Sequence, residues 1–111
     1  MTPKETLVAI LKTNNVPVDL IVNTDDVKPS TYITYQFYDT YGKDFADDVR
    51  TSTAFLIQVN IFTKGSFTAL ATKIISDLEA AGFGVTTENE TYEYDTKLFH
   101  KIIRLYYSTE N

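Results

Sequence analysis

The chain contains no cysteine and no tryptophan, and its 111 residues include one histidine, three prolines and four glycines. Without cysteine the protein has no disulfide, no thiolate metal ligand and no cysteine nucleophile, which suits a protein made in the cytoplasm. The glycines match neither the dinucleotide-binding fingerprint nor the P-loop. We therefore do not expect nucleotide-dependent chemistry.

Long apolar runs are also missing from the sequence. No run approaches the roughly 20 residues that a helix needs to cross a bilayer. The N-terminal segment places Lys4 and Glu5 beside a short apolar stretch and lacks the basic start, long apolar core and cleavage site of a signal peptide. We expect neither secretion nor a membrane-spanning segment.

The net charge is −5 and the sequence pI is about 4.7. Binding of nucleic acid through a broad basic surface is disfavoured, because neutralisation of phosphates supplies much of that affinity. Solubility alone explains an acidic surface, although a protein that only lets DNA pass would also gain from one. Apolar residues make up 43% of the chain, and this proportion and the length predict one globular domain over residues 1–111.

Two amphipathic helices are predicted. In the first, Thr2 and Glu5 form a capping box around Pro3, and Pro17 lies beyond the end of the helix. In the second, Ser66 is the expected N-cap, and Gly82 followed by Phe83 ends the helix. The apolar positions at helical spacing are Leu7, Ile10 and Leu11 in the first helix and Phe67, Leu70, Ala71, Ile74, Ile75 and Leu78 in the second.

Alternating patterns predict strands over residues 32–39 and 55–62, which we expect to pair antiparallel. Residues 39–50 combine a glycine with several charges and predict a loop or the exposed end of a long hairpin. Residues 18–22 suggest a further short strand, although turn-forming residues surround them. Residues 85–93 and 97–108 predict a closing pair of strands.

The last predicted strand is apolar on both faces. Phe99, Ile103, Leu105 and Tyr107 point one way, whereas Leu98, Ile102 and Tyr106 join His100 and Arg104 on the other. Such a strand has to be covered on both faces, by helices or by another subunit. The order of elements predicts an α+β domain with two helices packed on a mostly antiparallel sheet.

No catalytic constellation is recognisable. His100 would share a strand face with Ile102 and Arg104 rather than with a carboxylate, and no serine has the setting of an activated nucleophile. The acidic clusters Asp44–Asp47–Asp48 and Glu88–Glu90–Glu93–Asp95 lack the spacing of a calcium loop and are interpreted as solvated loop charge. We therefore predict no enzyme activity, no cofactor and no metal site.

The eight tyrosines offer a large contact area with polar tips, and they suit either core packing or a protein interface. Together with the charged segment and the last strand they define a candidate interface. Its residues are Tyr38, Tyr41, Lys43, Asp44, Asp47, Asp48, Arg50, His100, Arg104 and Tyr106.

Three segments give the sequence a family resemblance. They are TYITYQ at residues 31–36, the strand at 55–62 that leads through Lys64 and Gly65 into a helix ending in Ala81–Gly82–Phe83, and DTKLFHKIIR at residues 95–104. These segments resemble the small tail-terminator, or head-to-tail joining, proteins of siphophages and prophages of Gram-positive bacteria. The similarity spans residues 32–107 and rests on structural rather than catalytic motifs.

The resemblance implies an α+β subunit of a hexameric ring that caps the tail tube and docks to the head-completion complex, with DNA passing through the centre. Its location would be the head–tail junction of a virion made in the bacterial cytoplasm, without membrane contact. Sheet edges and tyrosines would supply subunit contacts. The charged loop at residues 39–50 would reach the tail tube or the connector, so substituting several of its charges should block head–tail joining.

Other functions stay open on the sequence alone. The chain would instead be a ligand- or peptide-binding module whose sheet forms a pocket lined with tyrosines, or another small head–tail connector component. An enzyme that uses the acidic loop residues is a third alternative. A stable monomer that binds a small molecule would favour the binding module.

Overall fold

A computed structural model describes residues 2–47 and 49–110 and shows a five-stranded mixed sheet with helices on one of its faces, together with a small two-stranded sheet. The elements are α1 Pro3–Lys12, β1 Val18–Leu20, β2 Thr31–Gly42, β3 Phe45–Ala46, β4 Val49–Arg50, β5 Ser52–Thr63, α2 Thr68–Ala80, β6 Gly84–Glu93 and β7 Leu98–Glu110. In the large sheet the strand order is β1-β2-β5-β7-β6, in which β1 runs parallel to β2 and the other neighbouring pairs are antiparallel. The predicted α+β class is thus confirmed.

The first helix begins where the capping box predicts. The backbone N–H of Glu5 donates to Thr2 Oγ1 at 3.1 Å, and the N–H of Thr2 donates to Glu5 Oε1 at 3.3 Å. These two bonds satisfy amide groups that the first turn of a helix leaves without partners. Leu7 and Leu11 are fully buried, so α1 is fixed to the sheet by one apolar stripe.

The core lies between the helices and one face of the sheet. Because side chains alternate along a strand, each central strand contributes every second residue to this core. Its members are Leu7 and Leu11 from α1, Ile33 and Tyr35 from β2, Ile57, Val59 and Ile61 from β5, Ala71, Ile74 and Leu78 from α2, Phe83, and Ile103 and Leu105 from β7. Both helices therefore cover the same face.

The start of α2 differs from the prediction, whereas its end agrees. Ser66 lies one residue before the N-cap, because the helix begins only at Thr68, and its hydroxyl accepts from the backbone N–H of Thr68 at 3.3 Å. Phe67 takes the cap position and makes no side-chain capping bond. At the other end Gly82 has φ +95°, and the N–H of Phe83 donates to the carbonyl of Leu78 at 3.0 Å. This arrangement closes the last turn and buries Phe83.

The predicted short strand exists, but it ends at Leu20. Ile21 has φ +67°, a left-handed conformation that is rare for a β-branched residue, and it turns the chain away from β2. The N–H of Ile21 makes a last hydrogen bond to the carbonyl of Tyr35 at 2.9 Å. Ile21 and Val22 are consequently exposed rather than part of the strand.

The segment at residues 39–50 is only partly the expected loop. Strand β2 continues through its first four residues to Gly42, with a register shift at Tyr38, and β5 begins at Ser52. Between them β3 and β4 form a small antiparallel hairpin, which we call the hairpin tip and define as residues 45–47 and 49–50. The prediction of an exposed hairpin end is confirmed for this tip.

The sheet narrows towards the hairpin tip. Strand β1 has no pairing partner on β2 beyond Tyr35, and β6 has none on β7 beyond Tyr106. From there only β2, β5 and β7 continue, and the protein reaches 52 Å along its longest axis. Across residues 2–47 and 49–110, no helix has the length and apolarity that a membrane span requires.

Candidate interaction surface

The face of the sheet opposite the two helices carries a row of stacked aromatic rings. We call this surface the open face. The rings of Tyr32 and Phe62 stack with centroids 4.7 Å apart, and those of Phe62 and His100 stack at 4.2 Å. The three residues come from β2, β5 and β7, whose register places them side by side. The stack is therefore a product of strand pairing.

A chain of polar contacts continues from His100 along the open face. The Nε2 atom of His100 lies 2.8 Å from Asn60 Oδ1, which also accepts from Gln58 Nε2 at 2.9 Å. Arg104 Nε donates to Gln58 Oε1 at 3.3 Å, and the guanidinium lies 5.9 Å from the ring centroid of Tyr38. Three of the predicted interface residues, His100, Arg104 and Tyr38, thus belong to one network.

The protonation of His100 follows from its surroundings. Because Asn60 Oδ1 is an acceptor, the neutral imidazole carries its proton on Nε2. The Nδ1 atom lies 3.9 Å from Glu93 Oε2. Burial lowers the pKa of His100, and the charge of Glu93 opposes this effect. Burial and then Glu93 also raise the pKa of Tyr32.

Glu93 corrects the expectation that His100 has no carboxylate beside it. The expectation considered only neighbours within one strand. The pairing of β6 with β7 brings Glu93 opposite Leu98, next to His100 on the same face. A carboxylate reaches the histidine across the strands, and the spacing along the chain does not reveal it.

A second group of predicted interface residues gathers nearer the hairpin tip. The Lys43 ammonium lies 6.0 Å from the ring centroid of Tyr106. A hydrogen bond to Tyr106, with a further contribution from the charge of Asp44, raises the pKa of Lys43. The charge of Tyr41, whose side chain is exposed, also contributes to the raised pKa of Lys43. This cation–tyrosine group extends the open face towards the tip.

The hairpin tip presents apolar side chains to solvent. Phe45 and Val49 are each 64% exposed, and Asp47 lies in the turn with φ +52°. Arg50 packs beside Gly42, where a Cβ atom would collide with its side chain. Asp47 and Arg50 thus lie at the tip and not on the open face, and Asp48 lies outside the described residues.

The second acidic cluster is not simply solvated loop charge. Glu88, Glu90 and Glu93 lie in strand β6. Lys101, which is buried on the helix-facing side, is 3.0 Å from Glu88 and 3.2 Å from Glu90. Burial acts to lower the pKa of Lys101, but the hydrogen bonds and charges of these two carboxylates raise it overall. The interpretation as solvated loop charge was therefore wrong for Glu88 and Glu90, because it assigned these strand residues to a loop.

An apolar groove lies near the start of α1, and sequence reasoning did not identify it. It encloses about 570 Å³ and is lined by Thr2, Pro3, Lys4, Leu20, Ile21, Gln36, Phe37 and Phe55. The groove exists because β1 ends at Leu20 and leaves the next part of β2 without a neighbour on that side. The sequence signal that could have indicated it is the apolar run Leu20–Val22 directly before turn-forming residues, because Leu20 and Ile21 line the groove.

The described residues contain no group of three or more histidine, aspartate or glutamate side chains that could hold a metal ion. The surface instead combines stacked rings, amide groups and isolated cations, which are groups suited to protein contacts. No protein-family model matches the sequence, and no curated protein matches it significantly.

Proposed function

We propose that this protein is a structural subunit of a phage tail. It assembles into a ring that caps the tail tube and joins the tail to the head-completion complex, and DNA passes through the centre of the ring. It works at the head–tail junction of the virion, is made in the host cytoplasm and catalyses no reaction. The sequence resemblance motivates this proposal.

The observation that best supports it is the uneven covering of β7. Ile103 and Leu105 are buried beneath the helices, whereas Ile102 and Tyr106 lie on the open face and are only partly buried. A strand that is apolar on both faces is stable when both are covered. Another protein surface would complete the cover, and the aromatic and arginine side chains of the open face are typical of such interfaces.

The first test is the solution mass by light scattering over a concentration series, alone and with purified siphophage tail tubes. The proposal expects a ring-sized oligomer, or a monomer that converts to one at high concentration or on the tubes. Sedimentation with the tubes is the second readout. A strict monomer that does not sediment with tubes under any of these conditions refutes the proposal.

The apolar groove favours a second candidate, a small ligand- or peptide-binding module. Its volume lies within the range of about 300–1,000 Å³ that is common for ligand sites. A monomer that binds a small apolar compound stoichiometrically, with the affinity lost in Phe37→Asp, would support this alternative. Ring formation without such binding would favour the tail protein.

A further inference from the structure

The chain carries two separate exposed apolar surfaces, one a protrusion and the other a groove. One is a protrusion, the hairpin tip with Phe45 and Val49. The other is the groove, whose rim includes Leu20, 48% exposed, and Ile21, 59% exposed. Phe45 and Val49 do not line the groove of their own chain. Exposed apolar area of this kind marks a binding surface when it is grouped and not scattered.

The charges on the two surfaces are of opposite sign. Lys4 is the charged residue among the eight that line the groove, and it stands in the first turn of α1. The N-terminal end of a helix adds a positive potential to that of the lysine. The tip carries one charge of each sign, Asp47 and Arg50, but residues 44–50 as a whole contain three aspartates and one arginine, a net charge of −2. An acidic, apolar protrusion therefore suits this groove better than a basic or neutral one would.

The geometry of the strands adds a third argument. The chain turns away at Ile21, so the space beside β2 after Tyr35 is left unfilled, and Phe37 lies in the wall of the groove at that point. The N–H of Thr40, further along the same strand, donates to the carboxylate of Asp39 at 2.9 Å. The carboxylate of Asp39 and the register shift at Tyr38 make this part of β2 a poor partner for a strand from another chain. Side-chain insertion into the groove is favoured over extension of the sheet.

We propose that the hairpin tip of one copy inserts Phe45 and Val49 into the groove of a second copy. The tip and the groove are different surfaces, so the contact is head-to-tail and can be repeated around a closed ring. This inference rests on the ring assembly proposed above and assigns the contact between its subunits. It replaces the expectation that the loop at residues 39–50 reaches the tail tube or the connector.

The absence of cysteine makes a direct cross-linking test possible. Ala46→Cys, which keeps both inserting side chains of the tip, is mixed with Ile21→Cys whose thiol has been activated as the mixed disulfide with thionitrobenzoate. Attack by the thiolate at position 46 forms the intermolecular disulfide and releases one thionitrobenzoate anion, which absorbance reports. Ile21 is already a non-glycine residue at positive φ, so its substitution adds no new backbone strain.

Activated Val27→Cys is the matched control. Val27 is 86% exposed, also apolar, and does not line the groove. Docking raises the local thiol concentration, so the groove variant should react about tenfold faster or more than the control. Equal rates at the two positions overturn the inference. Adding Lys4→Glu to the groove variant should slow its reaction about two- to fivefold, and Lys64→Glu should not.

The second readout is the oligomer mass of Phe45→Ser with Val49→Ser. Both side chains are largely exposed, so the variant should fold as the wild type does, and its assembly should require about tenfold more protein or more. A variant that forms the ring like the wild type overturns the inference and leaves the proposed ring intact. A wild-type chain that never assembles, alone or on tail tubes, removes both proposals.

Discussion

His100 Nε2 and Asn60 Oδ1 lie 2.8 Å apart on the open face, although the two residues are 40 positions apart in the chain. Asn60 Nδ2 donates to Thr34 Oγ1 at 3.2 Å, so the amide is held from both sides and presents its oxygen to the imidazole. The ring of His100 is also stacked on Phe62. These contacts select one tautomer and leave little room for the hydration that a charged imidazole requires.

The first prediction concerns the pH dependence of stability. Burial lowers the pKa of His100 in the folded protein below its ordinary value of 6.5, so the unfolded chain binds the proton more tightly. The contribution of His100 to the free energy of unfolding is fully present above pH 6.5. It is lost as the pH falls through the lowered folded pKa.

Urea unfolding of the wild type and of His100→Gln between pH 7.5 and pH 4.5 checks this prediction. The carboxylates titrate in both proteins, so their effect cancels when the two free energies of unfolding are subtracted. This difference in free energy should shrink as the pH falls below 6.5. A constant difference would contradict the assignment. Since His100 is the only histidine, its imidazole proton resonance can be followed directly, and Glu93→Gln should lower its pKa further.

The second prediction concerns the ion group of Lys101, Glu88 and Glu90. Lys101 is buried, whereas the side chains of the two glutamates are 44% and 59% exposed. Loss of the lysine leaves carboxylates that water can solvate, so Lys101→Met should lower the free energy of unfolding by less than about 1 kcal/mol. Glu88→Gln with Glu90→Gln leaves a buried ammonium without a counter-charge and should cost about 2 kcal/mol. Chemical denaturation measures both, and the reverse order would contradict the argument.

The third prediction concerns the end of α2. Gly82 has φ +95°, and a Cβ atom there would lie 3.5 Å from Tyr107 Cε1, which is an ordinary contact. The cost of Gly82→Ala therefore comes from the backbone conformation and should be about 1–2 kcal/mol. Gly65→Ala is the control, because nothing lies within 4 Å of its Cβ position, and it should change stability by less than about 0.5 kcal/mol. Similar losses in the two variants would show that the conformation of Gly82 is not the cause.

Most of the fold follows from local patterns. The capping box around Glu5, the left-handed Gly82 and the alternation along β5 each depend on residues that are close in the chain, and their predictions are confirmed. Ser66 shows the limit of this reasoning. Ser66 does accept from an amide at the start of α2, as a capping serine would, but the helix begins one residue later than expected, and the backbone conformation at Phe67 decides this.

The candidate surface was less predictable, because it depends on how distant strands align. His100, Arg104 and Tyr38 were predicted as interface residues, but Asn60, Gln58 and Phe62, which connect or stack with them, were not. The groove depends on the conformation of one residue, Ile21, that ends β1 early. A one-residue change of register would place different side chains on the open face, and the periodicity of each strand alone does not fix the register.

The last prediction separates the open face from the contact between copies. Arg104→Glu reverses a charge in the middle of the open face, where the side chain is exposed, so the stability of the folded chain should change by about 0.5 kcal/mol or less. We expect the open face to be the surface that meets the tail tube, because its apolar side chains are only partly covered. The reversed charge, with the loss of the contacts to Gln58 and Tyr38, should therefore abolish sedimentation with tail tubes. Lys12→Glu makes the same change of charge on α1, across the sheet, and should leave tube binding intact. If Arg104→Glu sediments with tubes like the wild type, the open face does not bind the tube, and the cover that β7 requires has to come from neighbouring copies.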